Sequence, residues 1–378
     1  MKVLFFYESC GRGGQQTYTL ELIKALLEKG HQVEYLYCQD NEEMLDSFQS
    51  ICRVSKLKTL LNPGEYKYKP WKLFFIFKEI KSFVHESFDV VITGSGIGSL
   101  LVGRSLKRTR ISHYRLMGCS LKQVERNIFR YYQLLKIDNF INGYFGWEEV
   151  FRELREKSVD DTKFIKTPFG VNTSVFFPMK IDEIKEFKEK LKLNQDKLVI
   201  GWVGRICRTM QVWGTVEFAE SLISHGFEDF QLLFVGGGPD QDLLIDLLIK
   251  KNLLQRSCVT GWIDYDEINK YYNVMDVVPL LAKDPQGGSI IREAMAAGKL
   301  TVSVDGPSKV QSEIMKEDYS LLVPSKNFAH EAAQSFLQIY KKGLIEKMGL
   351  SAREASIKHL SFDKVANIID QTIRSNKL

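Results

Sequence analysis

The sequence predicts an α/β protein made of two doubly wound domains, each built on a mostly parallel sheet. Short apolar stretches alternate with amphipathic ones along the chain, as where "KVLFFYE" precedes a glycine-rich turn and the helical pattern "YTLELIKALLEKG". This alternation is typical of parallel sheets covered by helices on both faces. It restarts at "KLVIGWVGRI", after the aperiodic segment "TPFGVNTSVFFPMK". A chain of 378 residues is long enough for two such domains.

We place the domains at residues 1–168 and 169–361, and expect an amphipathic helix over 362–378 to pack back on the N-terminal domain. Two such domains in series predict a central cleft, because ligands of open parallel sheets bind at the carboxyl ends of the strands. The expected strands lie in the segments "KVLFFYE", "HQVEYLYC", "FDVVITGS", "RISHYRLMG", "NFINGYFG", "KLVIGWVGRI", "FQLLFVGGGPD", "SCVTGWI", "DVVPLLA", "KLTVSVDG" and "YSLLVPS".

Composition excludes several classes of protein. The 52 basic and 47 acidic residues give a net charge of +5, a mild excess that does not suggest nucleic-acid binding, which calls for a concentrated basic face. The six cysteines are scattered, with no C-x-x-C pair, which indicates reduced thiols rather than a zinc site. No apolar run reaches the length of a membrane span, and the N-terminus lacks the pattern of a signal peptide. We therefore expect a cytoplasmic protein without a bound metal.

Two loops that follow predicted strands are suited to an anion. "GRGGQQT" follows the first strand, and its glycines would let backbone N–H groups approach a ligand; a plain tight turn is the alternative. "GWVGRICRTMQVWG" puts Arg205 directly after a strand and Arg208 three residues later. An arginine at a strand's carboxyl end can hold phosphate through two N–H groups, while the alternative is two solvated arginines.

A third loop, "KDPQGGSIIREAMAAG", leads from an apolar strand into a helix. The backbone N–H groups of Gly287, Gly288 and Ser289 at a helix start suit a diphosphate. Glu293 lies about one turn into the helix, where its carboxylate can accept hydrogen bonds from the vicinal hydroxyls of a ribose. The alternative is that Glu293 only favours the helix start electrostatically.

Taken together, several segments resemble the retaining glycosyltransferases of family 4, which have the GT-B fold. These segments are "FFYESCGRGGQQTYTLELIKALLEKGH", "FGVNTSVFFP", "WVGRI", "LLFVGGGPD" and "GGSIIREAMAAGKLTVSVDG". The resemblance runs in the same order through nearly the whole chain. It implies a nucleotide-sugar donor held by the C-terminal domain, an acceptor held by the N-terminal domain, and a metal-independent reaction that retains the anomeric configuration.

The resemblance also implies roles for individual residues. Arg205 would bind phosphate and act in catalysis with His113, near the transferred sugar, and Asp284, near the sugar hydroxyls. A structural role for His113 remains open. The implied donor-binding residues are Gly13, Gly14, Arg205, Arg208, Trp262, Ile263, Gly287, Gly288, Ser289 and Glu293, with Glu293 on the ribose and Trp262 and Ile263 framing the base.

The chain departs from the family pattern at two positions. The lysine that usually stands five residues after the phosphate-binding arginine is Met210 here, so a second cation for the phosphates is missing unless Arg208 or a lysine supplies it. The first motif glutamate is Pro285, with Asp284 one position earlier. Losing one charged hydrogen bond in such a site costs roughly 1.5–3 kcal/mol.

The predicted function is transfer of a sugar, with a UDP-sugar favoured as donor, to a hydroxyl acceptor in the synthesis of a cell-surface glycan, glycolipid or glycoconjugate. A non-catalytic GT-B subunit that binds a sugar or a partner transferase, and a nucleotide-sugar epimerase, stay open as alternatives. The stretch Lys67–Phe83 mixes lysines with aromatic residues. It predicts peripheral contact with an anionic membrane and access to a lipid-linked acceptor, the alternative being a core-facing helix with solvated lysines.

Overall fold

The computed structural model describes most of the chain. The residues outside the description are 12–13, 63–64, 66–67, 85–87, 95–96, 107–108, 117–136, 142–150, 153, 157–158, 209–210, 284, 286–288, 308 and 376–378, together with the side chains of 97–100. The chain forms two compact units: unit 1 is Met1–Gly170 with Phe362–Leu378, and unit 2 is Val171–Ser361.

In its described part, unit 1 is built on a sheet of seven parallel strands in the order β3-β2-β1-β4-β5-β6-β7. The strands are Lys2–Phe6 (β1), Gln32–Tyr37 (β2), Arg53–Lys56 (β3), Val90–Thr93 (β4), Ser112–Leu116 (β5), Asn139–Ile141 (β6) and Phe164–Ile165 (β7). Its α-helices are Gly14–Glu28 (α1), Leu45–Gln49 (α2), Trp71–Val84 (α3), Ile97–Leu106 (α4) and, after unit 2, Phe362–Ser375 (α13).

The first strand shows why the unit 1 sheet is covered on both faces. Successive side chains of a strand point to opposite faces. Val3 and Phe5 enter one apolar cluster with α1 and α13, whereas Leu4 and Phe6 enter a second cluster with α3 and α4. A run of consecutive apolar residues is therefore needed to bury both faces, which is what "KVLFFYE" supplies.

Among its described residues, unit 2 is built on six parallel strands in the order β10-β9-β8-β11-β12-β13. The strands are Leu198–Val203 (β8), Phe230–Val235 (β9), Ser257–Val259 (β10), Val277–Leu280 (β11), Leu300–Asp305 (β12) and Ser320–Pro324 (β13). Its α-helices are Ile181–Lys190 (α5), Val212–Ser224 (α6), Gln241–Lys250 (α7), Ile268–Val274 (α8), Ser289–Ala296 (α9), Val310–Ile314 (α10), Phe328–Lys341 (α11) and Ile345–Ala355 (α12).

In both sheets the strand order reverses once. The reversal lies between β1 and β4 in unit 1 and between β8 and β11 in unit 2. At such a switch point the connections on either side run to opposite faces of the sheet, which leaves a crevice at the carboxyl ends of the two strands. The loops that follow these four strands are therefore the first places to look for a site.

The last helix belongs to unit 1 although it follows unit 2 in the chain. The α13 side chains of Val365, Ala366, Ile369 and Ile373 are buried in the unit 1 core. A buried imidazole, that of His31, lies 2.7 Å from the Asp370 carboxylate of the same helix. Across the described residues, the helices are all too short or too polar to span a membrane.

Candidate functional site

Arg205 lies at the carboxyl end of β8 in a loop that the neighbouring β9 loop holds in place. The Gly204 N–H donates to the Val235 carbonyl at 2.9 Å, and the Ile206 N–H donates to the Gly237 carbonyl at 3.0 Å. Ile206 is fully buried, whereas Arg205 between them is exposed. Within the described part of the chain, the Arg205 guanidinium has no ion pair or hydrogen bond. The fold thus fixes the backbone and leaves the charge available.

Glycines make this contact between the two loops possible. Gly236 has a φ of +124°, and a Cβ on it would lie 2.0 Å from the Gly204 carbonyl oxygen. A Cβ on Gly238 would lie 2.1 Å from the Ile206 carbonyl oxygen. Only glycine permits such close backbone approach. The "GGG" of the β9 loop therefore positions the Arg205 loop.

Arg208 differs from Arg205 because its charge has a partner. Its backbone N–H donates to Asp240 Oδ2 at 2.7 Å, and its Nε lies 3.6 Å from Asp240 Oδ1. Its side chain is nevertheless 76% exposed. Arg208 is thus paired with Asp240, the residue that directly precedes α7 in the loop after β9.

Trp262 lies against the same glycine loop. The Gly236 N–H donates to the Gly261 carbonyl at 3.0 Å, and a Cβ on Gly237 would lie 2.9 Å from the Cδ1 and Nε1 atoms of Trp262. The indole is 61% exposed, and Ile263 beside it is partly buried. The loops after β8, β9 and β10 therefore bring Arg205 and an exposed aromatic face to one edge of the sheet.

The loop after β11 leads into α9, whose first residue is Ser289. Ser289 is exposed, and Pro285 before it is buried. Asp284, Gly287 and Gly288 lie outside the described residues, as does Met210. Their predicted roles therefore stay predictions.

Glu293 of α9 is buried, with 8% of its surface exposed. Burial raises the pKa of its carboxyl group above the usual value, although hydrogen bonds from Tyr272 and Ser289 oppose this shift. The Tyr272 hydroxyl of α8 donates to Glu293 Oε2 at 2.6 Å. This pairing orients the carboxylate. The sequence did not indicate Tyr272, because its pattern gives no reason to choose it over the adjacent Tyr271.

In unit 1 the loop after β1 carries the other predicted contacts. Gly14 is the first residue of α1 and is exposed, while Gly13 lies outside the described residues. The preceding Gly11 packs against Asn41, since a Cβ on it would lie 2.3 Å from the Asn41 amide nitrogen. The start of α1 is thus positioned by the loop after β2.

The segment "RISHYRLMG" suggested that His113 ends a strand, and the structure instead places it near the strand's beginning. It is the second residue of β5, which begins at Ser112 and continues to Leu116. Its side chain is fully buried, and its Nε2 lies 3.0 Å from the Thr93 hydroxyl. Its backbone N–H donates to the Asp138 carboxylate at 2.7 Å. The apolar pattern gave the strand but not its first residue, and this buried geometry gives the imidazole no exposed surface for a substrate.

The architecture resembles that of several solved glycosyltransferases over nearly their full length. Sucrose-phosphate synthase of Thermosynechococcus elongatus shares 18% identity at a TM-score of 0.79, covering 99% of this chain and 98% of that one. A glycosyltransferase of Rickettsia africae shares 19% at a TM-score of 0.81, with the same coverage. HepE of Anabaena, solved in complex with UDP, shares 14% at a TM-score of 0.80, covering 99% of this chain and all of that one. The two parallel sheets, each with one reversal of strand order, therefore define a GT-B fold.

Sequence models identify the family. A model described as glycosyl transferases group 1 matches residues 183–355, and one described as Glycosyltransferase Family 4 matches residues 12–116. The alpha-monoglucosyldiacylglycerol synthase of Acholeplasma laidlawii is 26% identical over 140 residues, which cover 36% of this chain and 35% of that protein. The aligned part thus spans about a third of that relative. The chain belongs to the GT-B glycosyltransferases of the family 4 type.

Proposed function

We propose that the protein transfers a sugar from a nucleoside diphosphate sugar to a hydroxyl acceptor, with retention of the anomeric configuration and without a metal ion. The observation that carries this proposal is the exposed guanidinium of Arg205, which has no partner among the described residues, on the same edge of the unit 2 sheet as the exposed Trp262. A cation and an aromatic face together suit a diphosphate and a base.

In the proposed reaction, the bond between the anomeric carbon and the leaving phosphate oxygen breaks. The acceptor oxygen bonds to that carbon on the same face, and its proton passes to the departing diphosphate. Negative charge develops on this leaving group, and Arg205 stabilises it. Unit 2 binds the donor in this scheme, with Glu293 on the ribose and Asp284 near the sugar hydroxyls, and unit 1 binds the acceptor.

One relative supports a uridine donor and another supports a glycolipid product. HepE was solved with UDP and with UDP-glucose, and the Acholeplasma relative is named as a glucosyldiacylglycerol synthase. We propose a UDP-sugar donor and an acceptor in cell-surface glycan, glycolipid or glycoconjugate synthesis, on the cytoplasmic side of the membrane. The test is a thermal-shift panel of UDP, GDP and ADP, since a ligand of the native state raises its melting temperature, followed by transfer assays with the matching sugars.

The outcomes separate the alternatives. An enzyme should release UDP from a UDP-sugar only in the presence of an acceptor or slowly by hydrolysis, at equal rates in EDTA and in magnesium. A non-catalytic subunit would bind UDP without releasing it from any donor. An epimerase would change the sugar without an acceptor and without releasing UDP.

We further propose that α3 places unit 1 on an anionic membrane. One face of α3 packs into the unit 1 core through Ile76 and Ile80, which are fully buried. On the opposite face, Trp71, Phe74 and Phe75 are 58%, 55% and 51% exposed. Large exposed aromatic residues that lie together mark an interaction surface. Aromatic side chains bury well at a lipid interface, where their rings reach below the headgroups.

Lysines accompany these aromatic residues. The Lys78 Nζ lies 4.6 Å from the centre of the Phe74 ring, and Lys81 is exposed one turn further on. Lys69 and Lys72, in contrast, both pair with Glu65. Two lysines beside an aromatic face favour an anionic bilayer over a neutral one, each adding about 1 kcal/mol near the surface.

Cosedimentation with vesicles tests this surface. Wild-type protein should bind vesicles that contain anionic lipid at low salt, and the double variant Trp71→Ser/Phe75→Ser should lose most of that binding. Ile249→Ser is the matched control, because Ile249 is 53% exposed on α7 of unit 2. Equal binding by both variants, or none by the wild type, would count against membrane contact and favour a protein partner for the aromatic face.

A further inference from the structure

The two strands at the switch point of unit 2 are each followed by an exposed cation. Arg205 stands two residues after the end of β8, and Lys283 stands three residues after the end of β11. The strands pair in parallel with Val277 beside Ile200, which places Leu280 beside Val203 at their ends. Neighbouring strands lie about 4.8 Å apart. The backbones that carry Arg205 and Lys283 therefore leave the sheet side by side, where ligands of such sheets bind.

Most of the other charges at this edge are already neutralised. Four cationic side chains follow β8, β11 and β12 within the described residues: Arg205, Arg208, Lys283 and Lys309. Arg208 pairs with Asp240, and Lys309 lies 2.5 Å from Asp305. Arg205 and Lys283 make no ion pair or hydrogen bond with described residues. Among these four cations, the two without a described partner are therefore the two at the switch point. Lys326, which is exposed after β13 and also has no partner among the described residues, lies two strands away from β11.

The loop that carries Lys283 also packs on the helix that follows the Arg205 loop. A Cβ on Gly214, in the first turn of α6, would lie 1.8 Å from the Leu281 carbonyl oxygen. Lys283 is two residues beyond Leu281, and α6 begins two residues after Met210, where the family has its phosphate-binding lysine. The close approach at Gly214 therefore brings the loop that carries Lys283 against the first turn of α6, the helix that follows the Arg205 loop.

We propose that Lys283 is the second cation of the diphosphate site and takes the place of the lysine that Met210 replaces. This proposal rests on the proposed function, because it assumes a nucleoside diphosphate as the ligand. Arg205 and Lys283 would each bind one side of the diphosphate, and two cations share its charge better than one. The position of a phosphate-binding lysine has thus moved from the loop after β8 to the loop after β11.

Calorimetric titration of the full chain with uridine, UMP and UDP tests this assignment. Lys283→Gln should weaken UDP binding about tenfold, as the loss of one charge-assisted hydrogen bond does, and should leave uridine binding unchanged. It should also make UDP binding less dependent on salt, and Lys283→Arg should restore most of the affinity. Lys309→Gln is the matched control and should stay within about twofold of wild type.

Several results would overturn the assignment. If Lys283→Gln binds UDP as the wild type does, or loses uridine and UDP equally, Lys283 does not hold phosphate. If Lys309→Gln loses the affinity instead, the second cation follows β12, and the proposed function stands without this assignment. If wild-type protein binds none of UDP, GDP and ADP, the proposed function itself fails and this site fails with it. A melting temperature equal to wild type confirms that the Lys283 variants are folded.

Discussion

The crevices at the two switch points differ in what they contain: side chains pack closely in that of unit 1, whereas exposed cations follow the strands in unit 2. In unit 1 the crevice between β1 and β4 is crowded, since a Cβ on Gly94 would lie 2.4 Å from the Tyr7 ring and 2.6 Å from the Gln15 amide nitrogen. Tyr7 itself is buried. In unit 2 the corresponding strands are followed by Arg205 and Lys283, both exposed and without partners among the described residues.

This difference separates polar groups that stabilise the fold from polar groups that are available to a ligand. The two histidines of unit 1 that the structure describes are buried: His31 is 3% exposed and His113 is fully buried. A buried polar group must be hydrogen-bonded, and its partners then hold the surrounding elements together. In unit 2, close backbone contacts at glycines hold the loops in place, so the Arg205 charge is not needed for this and stays exposed. The predictions below test this division, beginning with the largest effect.

Removing the Arg205 charge should have the largest effect. Arg205→Ala should lower kcat/KM for sugar transfer about a hundredfold or more, because it removes a donor aimed at the charge that develops on the leaving diphosphate. Initial rates of UDP release at varied donor concentration measure this. Arg256→Ala is the control, since Arg256 lies before β10, at the opposite end of the strands, and pairs with Glu228. An Arg205→Ala enzyme that works like wild type at saturating donor would remove the basis for placing the donor in unit 2.

Much of the fold could be predicted from the sequence because buried parallel strands need runs of apolar residues. Each predicted apolar segment contains a strand. The edge strands β3 (Arg53–Lys56) and β7 (Phe164–Ile165) were not predicted, since neither the polar "RVSK" nor the two-residue "FI" is a run of this kind. The position of Arg205 after a strand could be predicted, whereas the position of His113 within its strand could not, because a strand's first residue depends on pairing with its neighbours. Tyr272 could not be predicted, since its contact with Glu293 is tertiary.

Adding one methyl group at Gly214 should test how tightly the unit 2 loops are held. Its Cβ would lie 1.8 Å from a backbone oxygen, that of Leu281, which no side-chain rotation can relieve. Gly214→Ala should destabilise the protein by about 1–3 kcal/mol and weaken UDP binding, measured by thermal unfolding with and without UDP. Gly14→Ala is the control in unit 1: nothing lies within 4 Å of its Cβ, and alanine favours a helix by about 0.5–1 kcal/mol. Equal stability of the two variants would contradict the close contact.

Neutralising Glu293 should raise stability while lowering donor affinity. Burial raises the pKa of this carboxyl group in the folded protein. A carboxyl group with a raised folded-state pKa stabilises the fold below its unfolded pKa, and that stability is lost as the pH rises through the folded value. Glu293→Gln should therefore melt higher than wild type at neutral pH, with a smaller difference near pH 4.5, the usual pKa of the group.

The same substitution should weaken UDP binding about tenfold, because a carboxylate accepts hydrogen bonds from ribose hydroxyls better than an amide does. Thermal unfolding across pH and calorimetric titration with UDP measure the two effects separately. A variant that gains stability and keeps its affinity would assign Glu293 to the fold alone, and would place it with the buried groups of unit 1.

The smallest effect is expected at His31 in unit 1. Burial lowers the pKa of His31, although the hydrogen bond from its ring to Asp370 opposes the shift. A histidine with a lowered folded-state pKa is neutral when buried. Its contribution to stability is therefore complete above its usual pKa of about 6.5 and is lost as the pH falls from there through the lowered folded-state pKa. Partial burial tends to raise the pKa of Asp370, but hydrogen bonds from Arg374 and His31 lower it overall. The contribution of Asp370 to stability is therefore lost only in a more acidic range than that of His31.

Between neutral pH and about pH 5, unit 1 should therefore hold α13 less firmly as His31 becomes protonated. Hydrogen exchange of α13 amides, corrected for the pH dependence of the intrinsic exchange rate, should show lower protection at the lower pH in wild type, and His31→Gln should flatten that dependence. Lys29→Gln, which removes the pair with Asp363 on the same helix, should instead cost less than about 1 kcal/mol at every pH in the range. If His31→Gln keeps the wild-type pH dependence, His31 does not make the attachment of α13 sensitive to pH. In that case, burial of a polar group in unit 1 is not enough to show that it holds two elements together.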